Sequence, residues 1–123
     1  MGVEWHKLLR GRDFDLGADS VLVRLGERSQ KLTITDEEDH LVLSAVVARA
    51  KVVRQLDDLL LRVWKRNRAT QLVGFRIDSR DRLVAESVVV KAGLTAEEFQ
   101  LYARTVARES DRFEFELTGK NVE

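Results

Sequence analysis

The sequence predicts an α+β domain in which one antiparallel sheet of about five strands carries its helices, in the order α-β-β-β-α-β-β-α. Three observations predict it. From Gln71 to Leu117 an alternating hairpin pattern runs into a long capped helix, and from Val21 to Val47 short alternating runs are separated by polar turns. Between these two blocks, from Val52 to Asn67, the apolar residues return at helical spacing.

The elements follow in chain order. Val3 to Leu9 sets Trp5, Leu8 and Leu9 at helical intervals, a short amphipathic turn that Gly11 ends. Phe14 and Leu16 carry no periodicity that assigns them a conformation. Val21, Val23 and Leu25 alternate as a strand, and the cluster from Gly26 to Ser29 reads as a turn. Leu32 and Ile34 form the next strand, the acidic run Asp36 to Asp39 a second turn, and Leu41 to Val47 a third strand that is apolar on both faces. Short connections make these three an antiparallel meander.

The second helix places Val52, Val53, Leu56, Leu59, Leu60 and Val63 on one side, and Leu61 and Trp64 widen that arc enough to imply more than one neighbour. Lys65, Arg66 and Arg68 close it, where positive charge complements the helix dipole. Val73, Phe75 and Ile77 then alternate with Gly74 and Arg76, and a polar turn at Asp78 to Asp81 leads to the strand Leu83 to Val90. That strand has Leu83, Ala85 and Val89 on one face and Val84, Val88 and Val90 on the other, so it predicts cover on both sides.

The last helix is the clearest local signal. Thr95 and Glu98 have the spacing of a reciprocal capping box, with Leu94 and Phe99 at the positions that staple the chain as it enters the helix. Beyond the cap, Phe99, Tyr102, Ala103, Val106, Ser110, Phe113 and Leu117 share a face, and Gly119 supplies the stop. Burying each large apolar side chain contributes about 1.5 to 3 kcal/mol, so the stripe outweighs a cap of about 1 kcal/mol. Leu101 and Phe115 fall opposite it, as candidates for a second contact.

Composition bounds the rest. The 123 residues, 44% of them hydrophobic, suit a single domain spanning 1–123 with a true core. The 21 basic residues cancel the 21 acidic ones, which removes any global field for nucleic acid or an anionic membrane. Cysteine is absent, so disulfides, thiol nucleophiles and Cys-based zinc sites are excluded. Charges within the first ten residues break any apolar signal-peptide core, and no run approaches the length of a membrane span; the expectation is a cytoplasmic protein.

The element order, with Gly74-Phe75-Arg76-Ile77-Asp78, the run Gly93-Leu94-Thr95-Ala96-Glu97-Glu98-Phe99 and the ending Ser110-Asp111-Arg112-Phe113-Glu114, resembles the YbjN family. That family is similar in fold to the class I type III secretion chaperones. The resemblance implies a small, usually dimeric, non-catalytic protein that holds other proteins or serves regulatory pathways. In the chaperones the dimer forms through the region after the third strand, which here is Val52 to Trp64. Those chaperones tend to be acidic, whereas this chain is balanced at pI 6.8, a departure that favours a general binding module or regulator over a secretion role.

Candidate chemistry is sparse. Asp36, Glu37, Glu38, Asp39 and His40 could offer oxygen and nitrogen to a divalent ion, but lack calcium-loop spacing and read better as a solvated turn. His6 and His40 have no placed nucleophile or carboxylate with which to build a triad. Gly26 to Lys31 lacks the second glycine and the Lys-Ser/Thr pair of a phosphate loop. No cofactor is implied, nor is any acid–base partner for Glu97, Glu98 or Glu109. The predicted function is therefore a homodimeric protein-binding module that contacts itself or a protein client through Leu56, Leu61, Trp64, Val84, Val88 and Phe115. The alternative is a nucleic-acid-binding regulator using Arg62, Lys65, Arg66 and Arg68.

Overall fold

The computed structural model describes residues 4–119. It holds a six-stranded antiparallel sheet and four helices. In chain order these are α1 (Trp5–Leu8), β1 (Phe14–Leu16), β2 (Ser20–Leu25), β3 (Arg28–Asp36), β4 (His40–Ala48), α2 (Ala50–Gln55), α3 (Leu59–Ala69), β5 (Gly74–Ile77), β6 (Leu83–Val90) and α4 (Ala96–Thr118). Residues 1–3, including the predicted helix start at Val3, lie outside the described region.

The α+β class and the antiparallel sheet are as predicted, with one strand more. Phe14 to Leu16 forms β1, pairing Phe14 with Val23 and Leu16 with Val21. Three residues are too few to show periodicity, which is why this strand escaped sequence reasoning. The sheet order is β1-β2-β3-β4-β6-β5, so the chain leaves β4, runs through α2 and α3 to the far edge, and returns through the β5–β6 hairpin. Central placement suits the Val-rich β6, whereas β5, with exposed Gly74 and Arg76, suits an edge.

The long second helix expected from Val52 to Asn67 is instead two helices. Leu56 turns extended, and α3 restarts after Asp58. The break allows α2 to rest on β4 and α3 on β5, which a straight helix following one apolar arc would not do. The periodicity survived the break because its two halves carry separate stripes. Leu60, predicted on the inner side, is 75% exposed.

α4 lies across one face of the sheet, against β2, β3, β4 and β6. Its capping box forms as predicted: the Thr95 hydroxyl accepts from the Glu98 N–H, and the Thr95 N–H donates to the Glu98 carboxylate. Phe99, Ala103, Val106, Ala107 and Phe113 are buried beneath it with Val21, Val23, Leu32, Leu41, Leu43, Ala85 and Val89 of the sheet. Phe113 meets Phe75 edge-to-face, centroids 5.0 Å apart at 83°. At the C-terminus Gly119 adopts φ 73, where a Cβ would be strained, and its N–H closes on the Phe115 carbonyl.

Urea titration should separate the two contributions to α4. Phe113→Ala is expected to lose about 3 to 5 kcal/mol through the cavity it leaves, and Thr95→Ala about 1 kcal/mol through the cap.

Candidate functional site

α3 is asymmetric in a way that defines a surface. Leu59 and Val63 are buried on its inner side. Arg66, one turn further along that side, donates to Glu116 at 2.6 Å, approaches Glu109 at 3.8 Å, and places its guanidinium 4.9 Å from the Phe113 ring centroid. Next to it, the Asn67 amide donates to the Phe75 carbonyl at 3.0 Å and accepts from the Phe75 N–H at 2.8 Å. Asn67 thus occupies the free edge of β5 as a further strand would.

With that side fastened, the other presents Leu60, Leu61 and Trp64, each more than half exposed. The Arg68 guanidinium lies 4.8 Å from the Trp64 ring centroid and holds the indole in place. Leu61 also borders a shallow groove of about 420 Å³ with Arg62, Lys65, Arg66 and Glu116, between α3 and the end of α4.

The predicted contact residues are distributed over several elements. Leu61 and Trp64 share the exposed face of α3, and Leu56 is half-buried against the core at the α2–α3 break. Phe115 is exposed on α4 and Val88 on β6, beside exposed Val90. Val84 differs from expectation: it points to the same face as Val88 but is 3% exposed, flanked by Val46 and Arg76 on the neighbouring strands. Among the described residues, cover on that face therefore lies at the Leu83 end of β6. Between the two ends the open sheet face forms a hollow of about 420 Å³, lined by Thr33, Thr35, Val42, Ser44, Arg76 and Glu86.

The basic residues of α3 do not form a free array. Arg62 pairs with Asp58, Arg66 turns inward, and Arg68 stacks on Trp64. Among the described residues no three His, Asp or Glu side chains converge as a metal site. His40 Nδ1 lies 2.6 Å from the Asp39 carboxylate, and this bond holds the Asp39 carboxyl below its ordinary range. His6 stacks on Trp5 and joins its Nε2 to the Gly17 and Ala18 carbonyls, which fixes α1 to the turn after β1.

Sequence reasoning missed a polar cluster under the C-terminal half of α4. Asp111 and Glu114 are buried there; Arg28 grips both Asp111 oxygens, and Gln30 donates to Glu114 at 3.0 Å. The available signal was Gln30, a polar residue at an inward position in register with Leu32 and Ile34.

Comparison with known proteins places the chain in a family and identifies its fold. The profile of the YbjN family, described as "Putative bacterial sensory transduction regulator", matches residues 7–118. The chain belongs to the YbjN family. No curated protein sequence matches it. Among solved structures, a chain of the heterodimeric ExoU–SpcU complex from the type III secretion system of Pseudomonas aeruginosa superposes with TM-score 0.63 at 11% identity, covering 85% of this chain and 87% of the other. A chain of the ExsC–ExsE complex gives 0.58 at 18% identity, covering 84% and 80%. Escherichia coli YbjN gives 0.52 at 16% identity, covering 86% and 78%. The fold of this YbjN-family chain is thus that of the type III secretion chaperones, as the element order implied. No helix among the described residues is long and apolar enough to cross a membrane.

Two outcomes are expected, one at the inner side of α3 and one at the β5–β6 turn. Arg66→Ala should leave α4 and the sheet intact but raise amide exchange along α3, because Glu109, Glu116 and Phe113 lose their shared partner. Partial burial of the Asp78 carboxyl opposes its ionisation, but hydrogen bonds from Arg82 and from the Arg80 N–H overcome this and hold it below the ordinary carboxylate range. Its contribution is complete above the unfolded value and is lost as pH falls through the folded one. Asp78→Asn should therefore flatten the acid limb of the stability–pH curve, measured by urea midpoint.

Proposed function

We propose that the protein is a homodimeric, non-catalytic, cytoplasmic protein-binding module that holds a protein client on apolar surface. The observation that carries this reading is the cluster Leu60, Leu61 and Trp64, 75%, 54% and 55% exposed on one face of a helix whose other face is fastened to the domain. Apolar clusters of this kind on a small domain mark contact surfaces. Two copies meeting α3 to α3 about a two-fold axis would bury the cluster on both. Leu56, at the start of the same segment, would lie at the rim.

The client surface in this reading is the open face of the sheet. Val88 and Val90 give it an apolar end, and Val42, Ser44, Arg76 and Glu86 give it a mixed floor. Proteins of similar fold occur in complexes with protein partners, ExsC with ExsE and SycH with a fragment of YscM2, which supports a holding role. The family description adds a regulatory setting. A nucleic-acid role through α3 is disfavoured because Arg66 is turned inward to Glu116, Arg68 stacks on Trp64 and the chain carries no net positive charge.

Light scattering after size exclusion tests the dimer. Wild type should have twice the chain mass, and Trp64→Glu or Leu61→Glu should give folded monomers, because a carboxylate left in an apolar contact is costly. A monomeric wild type would refute the proposal.

A further inference from the structure

The solvent side of α4 carries an organised stripe distinct from the exposed apolar face of α3. Leu101, Arg104, Arg108, Arg112 and Phe115 succeed one another at intervals of three and four residues. Leu101, Arg108 and Phe115 also recur every seventh position, the interval that keeps side chains facing a partner helix. Leu101 is 52% and Phe115 56% exposed, and they stand about 21 Å apart along the axis.

Each apolar end adjoins a recess. Leu101 borders one with Leu72, Thr105 and Arg108; Phe115 borders the other with Arg28, Asp111 and Arg112. Leu72 stands at the first with φ 70, a backbone conformation that costs a leucine energy, while its own side chain stays 46% exposed. The Ser87 hydroxyl donates to the Leu72 carbonyl and holds the turn in that conformation.

Between the ends, positive charge is in excess. Arg108 and Arg112 both turn to the carboxylate of Glu109, at 3.9 and 3.2 Å, and Arg66 approaches the same carboxylate at 3.8 Å. Arg104 reaches Asp13 at 3.5 Å and lies 4.9 Å from the Phe14 ring centroid, with its guanidinium still open to solvent on the other side. α4 as a whole carries six acidic and three basic residues, so the positive charge is confined to this stripe.

We propose that this stripe docks an acidic amphipathic helix of a partner protein. Carboxylates of that helix face Arg104, Arg108 and Arg112, and its apolar residues at either end meet Leu101 and Phe115. A second copy of the chain does not suit the site, because symmetric antiparallel packing sets Arg108 against Arg108. A phosphate backbone leaves Leu101 and Phe115 without a counterpart.

The probe is a fluorescein-labelled synthetic helix with glutamates between two leucines spaced about fourteen residues apart, read by fluorescence anisotropy. Wild type should bind it, with affinity falling as salt rises. Arg108→Glu combined with Arg112→Glu should weaken binding about tenfold, and Leu101→Ser about threefold, each with an unchanged circular dichroism spectrum. Arg108→Gln combined with Arg112→Gln retains most of the side-chain length and should also weaken binding, which guards against a folding artefact. Absence of binding to wild type, equal binding of the lysine counterpart, undiminished binding by the charge-reversed variant, or complete displacement of the peptide by duplex DNA would each overturn the proposal. Because α3 is untouched, the oligomeric state measured by light scattering reports on the dimer separately.

Discussion

The structure depends on the packing of α4 across one face of the sheet. β2, β3, β4 and β6 pack along that helix, and β5 meets it through the edge-to-face contact of Phe75 with Phe113. The same Phe113 ring carries the Arg66 guanidinium on its face. One aromatic side chain therefore joins the sheet edge, the last helix and α3. The exposed surface of α3 exists because its inner side is committed to this junction.

A second constraint comes from polar groups that the packing encloses. Asp111 and Glu114 would be costly inside the domain without partners. Arg28 and Gln30, separated from them by more than eighty residues of sequence, supply those partners. Their spacing on β3 and α4 sets the register of the helix over the β2–β3 hairpin more tightly than apolar contacts, which are non-directional, could do. Asn67 does comparable work at the other end, where its amide satisfies both backbone groups of Phe75 and closes the edge of the sheet.

Much of this was legible beforehand where the signal is local. The Thr95–Glu98 box, the stripe of α4, the alternation in β2 and β5, and the stop at Gly119 all rest on residues within a few positions of one another. Leu61 and Trp64 were also legible as a surplus, since the arc of α3 was wider than one neighbour could cover. Leu60 was misplaced because periodicity across residues 52–67 cannot reveal a break at Leu56 that leaves each half its own stripe. Val84 and Val88 share a strand face by parity, yet one is buried and the other open. Parity assigns a side, and only the neighbouring elements assign cover.

The sequence by itself determined the α+β class, the principal elements and the apolar face of the last helix, because capping and periodicity are short-range properties of the chain. The YbjN resemblance too was carried by contiguous residues. Tertiary structure alone decided the six-stranded order, the division of the second helix, the inward turn of Arg66 and the burial of Asp111 and Glu114. Each of those depends on groups brought together from distant positions, and their energies appear only once the chain has closed upon itself.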